Sequence, residues 1–375
     1  MKKERQDQLK RILQLTRPYW DRDETRPSVR HAFNQGLLCG TPAMGGEVYA
    51  SENEEKIVSY TCKGKACSSC GHRGTVQWQR ERWSALPNVP YYGITFTMPD
   101  VLWHIFHDNP VLARTLPILA ADVIQTYAYA NYGVEVGVIA ILHTFNGKLE
   151  FNSHVHTMVL AGGLLPSGKW FTPVYYDDDV VMEEWRYAVI ALLRTASRLG
   201  RLGCSLQPDQ IEAMLSWHGA RWWSVNIELL ESTAHFLGYA GRYVRRPPIA
   251  QWRISHVDDS KVRFWVKDKK LKRKIEVECT LEEFIDRWSQ HIPDRYRHSV
   301  RYFGLFAPRG VKESFSALFA VIGQKPRPRP KPRLWRESIR RDFGFDPLLD
   351  HKGVEMKWTG RIAPQQSPTV VRTQK

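Results

Sequence analysis

The sequence of 375 residues contains no long hydrophobic run. Its most apolar windows, such as VGVIAILHTF, are too short to cross a bilayer. The start, MKKERQDQLK, lacks the apolar centre of a secretory signal peptide. We therefore expect a cytosolic protein that does not enter the membrane. Internal repeats at the periods of solenoids or propellers are also missing, which argues against those folds.

Acidic residues are the scarcer charge. The chain has 39 Asp and Glu against 54 Lys and Arg, so its net charge is +15 and its isoelectric point is near 9.6. This excess of positive charge indicates a polyanionic partner, for which nucleic acid and a membrane surface are both candidates. Hydrophobic residues make up 43% of the chain, which is enough to bury a core in one large domain or several smaller ones.

Cysteine is also scarce, and its distribution is uneven. The chain has six, which in a cytosolic protein argues against a disulfide framework. Four of them fall in one early, loop-rich segment and suffice for a tetrahedral structural zinc site: Cys39, Cys62, Cys67 and Cys70. A redox pair in the Cys-x-x-Cys stretch is the alternative, and His72 or His31 could replace one thiolate. Cys204 and Cys279 are expected to be ordinary thiols.

One nucleotide-binding motif is incomplete. The stretch GLLPSGKW, from Gly163 to Trp170, resembles a phosphate-binding loop, but Trp170 stands where Ser or Thr would coordinate Mg²⁺. The stretch also leads into strand-like sequence rather than a helix. We interpret it as a hairpin turn and expect no ATP binding.

Hydrophobic periodicity predicts helices and strands that alternate irregularly. VPYYGITFTMP predicts a strand, and Asn146-Gly147 joins two more, VEVGVIAILHTF and KLEFNSHVHTMVL, in a hairpin. This pattern is typical of an α+β fold with a mainly antiparallel sheet. We divide the chain into an N-terminal helix and cysteine-rich module (1–85), a larger unit (86–322) and a basic, proline-rich tail (323–375). Because its composition cannot bury a core, the tail should be an extended, loosely ordered arm.

Two histidines interrupt the apolar strand FNSHVHTMVL. His154 and His156 are two residues apart, so their imidazoles project from the same face of the strand. Two neutral imidazoles on a rigid face can bind a divalent metal and leave positions open to water or substrate. The alternative is a pair of hydrogen-bonded structural histidines.

Two tyrosines follow in HFLGYAGRYVRRPP. Tyr239 and Tyr243 are four residues apart on one face of the helix predicted over residues 232–246. Three arginines lie among or after them and are expected to contact the phosphates of a nucleic acid: Arg242, Arg245 and Arg246. A phenol, with a pKa of about 10, can attack a phosphodiester whose charge is neutralised and whose leaving oxygen is stabilised by a metal. The alternative is an aromatic core stripe.

Further stretches complete the pattern in a fixed order between residues 30 and 307: CGTPAMGGEVY, CKGKACSSC, VPYYGITFTMP, GVIAILHTFNGKLEFNSHVHTMVLAGGL, YAGRYVRRPPIAQWRI and LEEFIDRWSQHIPDRYRHSVRYFGLFA. With the His-hydrophobic-His strand and the Tyr-x-x-x-Tyr helix, this ordered set resembles the HUH endonucleases with two tyrosines. Within that group it resembles the rolling-circle transposases of the insertion-sequence ninety-one family.

The resemblance implies an HUH core, which is an antiparallel sheet flanked by helices, preceded by a zinc-binding module. It implies that His154 and His156 hold a catalytic Mg²⁺ or Mn²⁺. It also implies that Tyr239 and Tyr243 are nucleophiles that form a 5′-phosphotyrosine link to DNA. HUH sites usually take a third metal ligand, for which His143 on the neighbouring strand is a candidate, although a structural role would also suit it.

The chain departs from the family pattern at two points. Relatives often have His-Pro before the histidine pair, where this chain has Asn152-Ser153, so a ligand or proton carrier of some relatives is missing. Relatives also carry an additional cysteine pair where this chain has YASENEE, which favours a single zinc ion.

The proline-rich tail is strongly basic. Lysine and arginine bind phosphates without reading sequence, so we expect nucleic-acid contacts from five residues of KPRPRPKPR: Lys325, Arg327, Arg329, Lys331 and Arg333. Trp222 and Trp223 could stack on unpaired bases, although a protein with 14 tryptophans buries most of them.

We therefore predict a DNA transposase that nicks and rejoins single-stranded or locally melted DNA at the ends of a mobile element and at a target site. The resemblance implies a bacterial cytoplasmic enzyme that works at the nucleoid, with a zinc module that helps to recognise the ends. One alternative is a plasmid or phage replication initiator or relaxase with the same chemistry. The other is a non-catalytic zinc-finger DNA-binding protein that keeps the fold.

Overall fold

The structure is a computed structural model that describes residues 7–244, 247–268, 271–295, 297–307, 318–331 and 333–364. Two of the predicted DNA contacts, Arg245 and Arg246, lie outside the described residues. No helix in these ranges combines the length and the apolar character that a membrane span requires.

The described strands, in chain order, are β1 (Gly46–Ala50), β2 (Glu55–Ser59), β3 (Tyr91–Phe96), β4 (Gly137–Phe145), β5 (Phe151–Leu160), β6 (Gly163–Leu164), β7 (Trp170–Phe171), β8 (Val225–Leu230), β9 (Ile254–Val257), β10 (Lys261–Lys267), β11 (Lys274–Thr280), β12 (Val300–Gly304) and β13 (Lys357–Ile362). The described helices are α1 (Gln8–Leu15), α2 (Arg17–Trp20), α3 (Pro27–Leu38), α4 (Ser68–Ala85), α5 (Val101–Asp108), α6 (Pro110–Ala113), α7 (Leu116–Tyr132), α8 (Asp178–Arg198), α9 (Pro208–Gly219), α10 (Thr233–Ala240), α11 (Leu281–Gln290) and α12 (Trp335–Phe343).

The central sheet has five antiparallel strands in the order β12–β4–β5–β3–β8. Its middle is the β4–β5 hairpin, whose turn is closed by the Asn146 side chain. Asn146 Oδ1 accepts hydrogen bonds from the backbone N–H groups of Lys148 and Glu150, at 2.8 and 3.1 Å. The predicted hairpin and the inner position of the histidine strand are confirmed. The short β6–β7 hairpin likewise confirms a turn at GLLPSGKW.

The two faces of this sheet are covered differently. Helices α5, α7 and α8 pack on one face, where Val138, Val155 and Val159 are buried with Trp185 in an apolar core. On the opposite face Tyr91, Ile141 and Met158 are buried in a second core that includes α10 and Trp78 of α4. Because side chains alternate along a strand, the histidines of β5 belong to this second face.

A second sheet, β9–β10–β11, forms a third core with the N-terminal helices. Phe264 and Phe284 lie in it with Ile12 of α1, and Phe33 of α3 packs on Trp288 with ring centroids 5.0 Å apart. The N-terminal helices are therefore packed against residues more than 200 positions away. The α+β fold, with antiparallel sheets flanked by helices and an N-terminal cysteine cluster, is confirmed.

The tail differs from the sequence-based expectation. The prediction of an extended, loosely ordered arm is wrong for residues 333–364, because β13 pairs with β1 in the three-stranded sheet β13–β1–β2. The Asp350 carboxylate also accepts hydrogen bonds from Ser51 Oγ at 2.8 Å and Asn53 Nδ2 at 2.7 Å. These partners lie about 300 residues away in the sequence, so local composition gave no sign of them. Residues 365–375 are outside the described residues.

Candidate functional site

Three histidines converge where β4 and β5 approach their shared turn. His143 of β4 lies opposite His154 of β5, and His156 follows on the same face. One ring nitrogen of each lies within 4.8 Å of those of the other two, and His143 and His156 are buried. The structure thus brings His143, considered as a third ligand, together with the predicted pair. Three converging imidazoles could hold a divalent metal ion.

Each of these rings is oriented through one nitrogen. The hydrogen bonds are His156 Nδ1 with Thr95 Oγ1 at 3.1 Å, His154 Nδ1 with the Asn152 carbonyl at 2.8 Å and His143 Nε2 with the Tyr243 carbonyl at 3.0 Å. Because a carbonyl oxygen can only accept, His154 Nδ1 and His143 Nε2 carry the protons in their bonds. Such outer hydrogen bonds fix the tautomer and the direction of imidazoles that bind metals.

Both tyrosines lie against this cluster. The ring of Tyr243 stacks on His156, with centroids 3.6 Å apart and planes inclined by 21°. The ring of Tyr239 is 5.1 Å from that of Tyr243, and its hydroxyl is 3.3 Å from Thr95 Oγ1. Thr95 therefore connects one tyrosine hydroxyl to the imidazole of His156.

The tyrosines are not on one continuous helix. Helix α10 begins after Ser232, whose hydroxyl accepts from the His235 N–H, and ends at Ala240. The helix predicted over 232–246 is therefore too long: the Tyr243 N–H bonds to the Ala240 carbonyl at 2.9 Å in a tighter turn. The turn starts at Gly241, a poor helix former, where a Cβ would overlap the Nε2 atom of the Gln79 side chain.

Tyr239 is held in a closely fitted space. Its side chain is buried, and a Cβ at Gly93 of β3 would lie only 2.7 Å from the ring. Burial raises the pKa of Tyr239 well above its ordinary value, and the hydrogen bond with Thr95 offsets only part of that rise. The phenol is therefore protonated at neutral pH.

Arg242 is the described arginine of the tyrosine segment. Its guanidinium carbon lies 4.6 Å from the ring centroid of Tyr239 and 5.6 Å from that of Tyr243. Its nearest carboxylate is that of Glu228, at 4.0 Å. A cation thus flanks both tyrosines at the protein surface.

The four early cysteines form a second cluster. Neighbouring sulfur atoms are 3.7 Å apart for Cys39 and Cys70, 3.7 Å for Cys62 and Cys70, and 3.8 Å for Cys67 and Cys39. A tetrahedral zinc site with Zn–S bonds of about 2.3 Å requires S–S separations of about 3.8 Å. The donor set and its spacing fit zinc.

Local structure explains how the cysteines meet. Cys39 ends α3, Cys62 follows β2, and Cys67 and Cys70 begin α4. His31 and His72 are exposed and do not belong to the cluster, so neither replaces a thiolate. Cys204 and Cys279 are likewise outside it.

The predicted basic contacts of the tail differ in their surroundings. The guanidinium of Arg327 packs on the protein itself. Its carbon lies 4.0 Å from the centroid of the Trp83 ring, and it donates to the carbonyls of Trp83 and Leu86, at 2.7 and 3.1 Å. Arg333 pairs with Asp342 at 3.4 Å in a largely buried position. The remaining three are exposed: Lys325, Arg329 and Lys331.

The tail and α4 enclose a basic groove of about 1000 Å³. Seven cations and two carboxylates line it: Lys63, Arg73, Arg80, Arg82, Arg329, Lys331 and Arg333, with Glu81 and Asp342. Sequence reasoning anticipated the tail residues but not their partners on the zinc-module helix. Of the two tryptophans considered for stacking, Trp222 is exposed and Trp223 is buried.

Sequence reasoning also missed Thr95 and Gly93. Both lie on β3, beside the histidine strand, and their side of the strand faces the tyrosines. Their signal in VPYYGITFTMP is a glycine and a threonine two residues apart in an otherwise apolar strand. That signal acquires meaning only when the neighbouring strand is known.

Comparisons with known proteins agree with both clusters. A family model described as "Transposase zinc-binding domain" (IS91) matches residues 12–98, and one described as "Putative transposase" matches residues 137–314. The transposase for insertion sequence element IS801 of Pseudomonas savastanoi pv. phaseolicola is 29% identical over 83% of this chain and 78% of its own. A "Putative transposase y4qJ" of Sinorhizobium fredii is 26% identical over 80% of each chain. No solved structure matches.

The two matched regions contain the two residue clusters that the structure assembles. The zinc-binding match includes all four cysteines, and the transposase match includes the three histidines and both tyrosines. The chain therefore belongs to the insertion-sequence ninety-one (IS91) family of transposases and has that family's N-terminal zinc-binding domain.

Proposed function

We propose that this transposase cuts and rejoins single-stranded DNA by transesterification at Tyr239 and Tyr243, as in rolling-circle transposition. The observation that carries the proposal is the stack of the Tyr243 ring on His156, 3.6 Å away, within a three-histidine cluster. An aromatic core stripe would not require buried imidazoles beside it. The proposal extends the family assignment from DNA transposition to a chemical mechanism.

The histidines would hold the catalytic Mg²⁺ or Mn²⁺. Hydrogen bonds to Thr95, Asn152 and Tyr243 orient the three rings, and one ring nitrogen of each would be a metal ligand. A divalent ion there would neutralise the phosphate and stabilise the leaving oxygen. Thr95 keeps His156 in place and also contacts the Tyr239 hydroxyl, so it positions a ligand and a nucleophile together.

The reaction exchanges one phosphate ester for another. The tyrosine oxygen attacks phosphorus, the bond between phosphorus and the 3′ oxygen breaks, and the proton lost by the phenol ends on that 3′ oxygen. The products are a 5′-phosphotyrosine and a free 3′-hydroxyl. Because the number of phosphate ester bonds is unchanged, rejoining needs no nucleotide cofactor. The ring centroids of the two tyrosines are 5.1 Å apart, so one tyrosine would hold a strand end while the other attacks the next phosphate to be cut.

The charged surfaces support a DNA substrate. Arg242 flanks both tyrosines, and Arg245 and Arg246 follow it in the sequence. The basic groove between α4 and the tail would bind phosphates, and its place beside the cysteine cluster supports a role for the zinc domain (1–85) at the element ends. A replication initiator or relaxase would use the same chemistry, but the family assignment favours transposition.

A covalent-adduct assay tests the proposal. Labelled single strands copied from both flanks of the gene are incubated with the full chain and Mn²⁺, or with EDTA, and separated on a denaturing gel. We expect label to migrate with the protein only when metal is present. Tight strand binding without any adduct would instead support a non-catalytic DNA-binding protein.

Removing His143 should increase the metal requirement. We expect His143→Ala to raise the Mn²⁺ concentration for half-maximal cleavage by at least about 10- to 100-fold, because a ligand is lost. His104→Ala, at an exposed site on α5, is the matched control and should leave the titration unchanged. Identical Mn²⁺ titrations for both variants and the wild type would show that His143 has only a structural role.

Gly93→Ala should displace Tyr239. The new Cβ would lie 2.7 Å from the ring, so we expect a loss of about 1–3 kcal/mol in the free energy of unfolding and of about 100-fold in cleavage. Gly238→Ala is the control, since Gly238 is exposed on α10 and its Cβ would meet nothing within 4 Å. That variant should gain up to about 1 kcal/mol and cleave normally. If Gly93→Ala cleaves DNA at the wild-type rate, the position of the Tyr239 ring does not determine the rate of cleavage.

A further inference from the structure

A pocket of about 350 Å³ adjoins the three-histidine cluster. It lies between α5 and α6, the β4–β5 hairpin and the segments 289–294 and 297–301, and His143 is part of its lining. We call it the side pocket. The proposed chemistry at the tyrosines does not use its other residues. Its volume falls within the range of about 300–1000 Å³ that is usual for pockets that hold small ligands, and is too small for a DNA duplex.

Aromatic rings lead from the histidine cluster into the side pocket. Phe145 stacks on His143, with ring centroids 5.0 Å apart and planes inclined by 25°. His291 is 5.3 Å beyond Phe145, and Phe151 is 6.3 Å from His291 with nearly parallel planes. The row therefore offers flat, apolar surfaces next to the metal-binding residues, which is the kind of surface on which unpaired bases stack.

His291 is a fixed and uncharged part of this wall. Its Nε2 donates to the Leu149 carbonyl at 2.9 Å, and its Nδ1 accepts from Thr144 Oγ1 at 3.1 Å. Burial lowers the pKa of His291 to about 4, so the ring is neutral at pH 7. The neutral, hydrogen-bonded ring therefore adds no charge to this wall.

The rim of the side pocket is strongly positive. Five cations line it: Arg26, Lys65, Arg114, Arg297 and Arg301. Asp294 is the acidic residue of the lining, and its carboxylate pairs with Arg26 at 3.5 Å and Arg114 at 3.1 Å. Within the described part of the chain, the side chains of Arg297 and Arg301 form no hydrogen bond or ion pair. The pocket thus combines a flat apolar wall with cations that suit a phosphate.

We propose that the side pocket binds one unpaired nucleotide of the DNA strand, close to the phosphate that is cut. The base would lie against Phe145 and His291, and its phosphate would contact Arg297 and Arg301. The inference rests on the proposed function, since it takes the strand to pass the histidine cluster as a single strand. The side pocket would thus add a binding site for one base of the strand.

An abasic scan tests this pocket. Single-stranded substrates, each with one abasic site near the nick, are compared for binding by fluorescence anisotropy and for cleavage in Mn²⁺. At one position we expect the loss of the base to weaken binding by about 5- to 150-fold, as for other stacked bases. Because binding is measured separately, the scan remains informative even if the tyrosines prove inactive. The absence of a penalty at every position would overturn the proposal.

A filled pocket should remove that penalty. Ser299 is half-buried and lines the side pocket, so Ser299→Phe should occupy it. We expect this variant to bind intact and abasic strands within twofold of each other. The control Ser167→Phe makes the same substitution in the exposed β6–β7 turn and should keep the full penalty. An equal abasic penalty in Ser299→Phe and the wild type would refute the assignment.

A milder variant covers the case in which Ser299→Phe does not fold. Arg297 is exposed, and Arg297→Ala should lower the slope of log Kd against log salt by about 0.7, the value for one contact to a single-stranded phosphate. Arg201→Ala, at another exposed site, should leave the slope unchanged. Equal slopes for Arg297→Ala and wild type would overturn the phosphate contact. If a free deoxynucleoside monophosphate competes with the strand for binding but no abasic position weakens binding, the pocket does not hold a nucleotide of the strand.

Discussion

Replacement of both Tyr239 and Tyr243 by Phe is expected to abolish strand cleavage, by about 10⁴-fold or more, while single-stranded DNA binding stays within about threefold of the wild type. Phenylalanine keeps the aromatic rings that stack on His156 and pack over Gly93. The substitution removes the two oxygens that would attack phosphorus. The lost hydrogen bond between Tyr239 and Thr95 is long, at 3.3 Å, and Thr95 retains His156 as a partner. We therefore expect little loss of stability.

Tyr91→Phe is the matched control for this double variant. Tyr91 is a buried tyrosine of the same core, and its hydroxyl donates to the Pro87 carbonyl at 2.6 Å. That carbonyl also accepts from Thr233 Oγ1 at 2.8 Å, so the substitution leaves no buried acceptor without a partner. Cleavage should be close to that of the wild type. Cleavage at the wild-type rate by the Tyr239, Tyr243 double variant would reject both tyrosines as nucleophiles.

Loss of one cysteine of the zinc cluster is expected to unfold the N-terminal module. We expect one zinc ion per wild-type chain and less than about one tenth of that in Cys70→Ser, because three thiolates cannot close the site. Structural zinc contributes on the order of 10 kcal/mol to the folding of small modules, so β1, β2 and the start of α4 should lose protection from hydrogen exchange. Cleavage should fall as well, since Gln79 of α4 donates at 2.7 Å to the Leu237 carbonyl of α10, the helix that carries Tyr239.

Cys204→Ser provides the control, because Cys204 is half-buried and outside the cluster. Its zinc content and exchange pattern should equal those of the wild type. Zinc determined by atomic absorption gives the content directly, and hydrogen exchange with mass spectrometry locates the change. A Cys70→Ser variant that retains one zinc ion and full protection would show that Cys70 is not a ligand.

Local sequence signals predicted much of the site. The alternation of FNSHVHTMVL placed His154 and His156 on one face, and Asn146 at the turn fixed the hairpin that sets His143 opposite them. The spacing of the four cysteines predicted their cluster. Cys67 and Cys70 are three residues apart at the start of one helix, so their thiols lie close together. The histidine signal lies within one hairpin, and the cysteine signal lies within residues 39–70.

The parts that could not be predicted depend on distant contacts. Helix α10 ends at Ala240, where Gln79 of α4 packs against Gly241, although local periodicity continued beyond it. The tail appeared unable to fold because its partner strand β1 lies about 300 residues earlier. Likewise Arg327 looked like a simple DNA contact until the structure placed it on Trp83. The composition of a segment shows how much apolar surface it can bury by itself, but not which distant segments will pack on it.

Peptide mapping of the covalent adduct tests the central claim most directly. The wild-type protein is reacted with a single-stranded flank in Mn²⁺, digested with nuclease and trypsin, and analysed by tandem mass spectrometry. We predict a 5′-nucleotide attached to Tyr239 or Tyr243, and none in EDTA. Attachment of the nucleotide to a different residue, or an adduct that forms equally in EDTA, would contradict metal-dependent transesterification at these tyrosines.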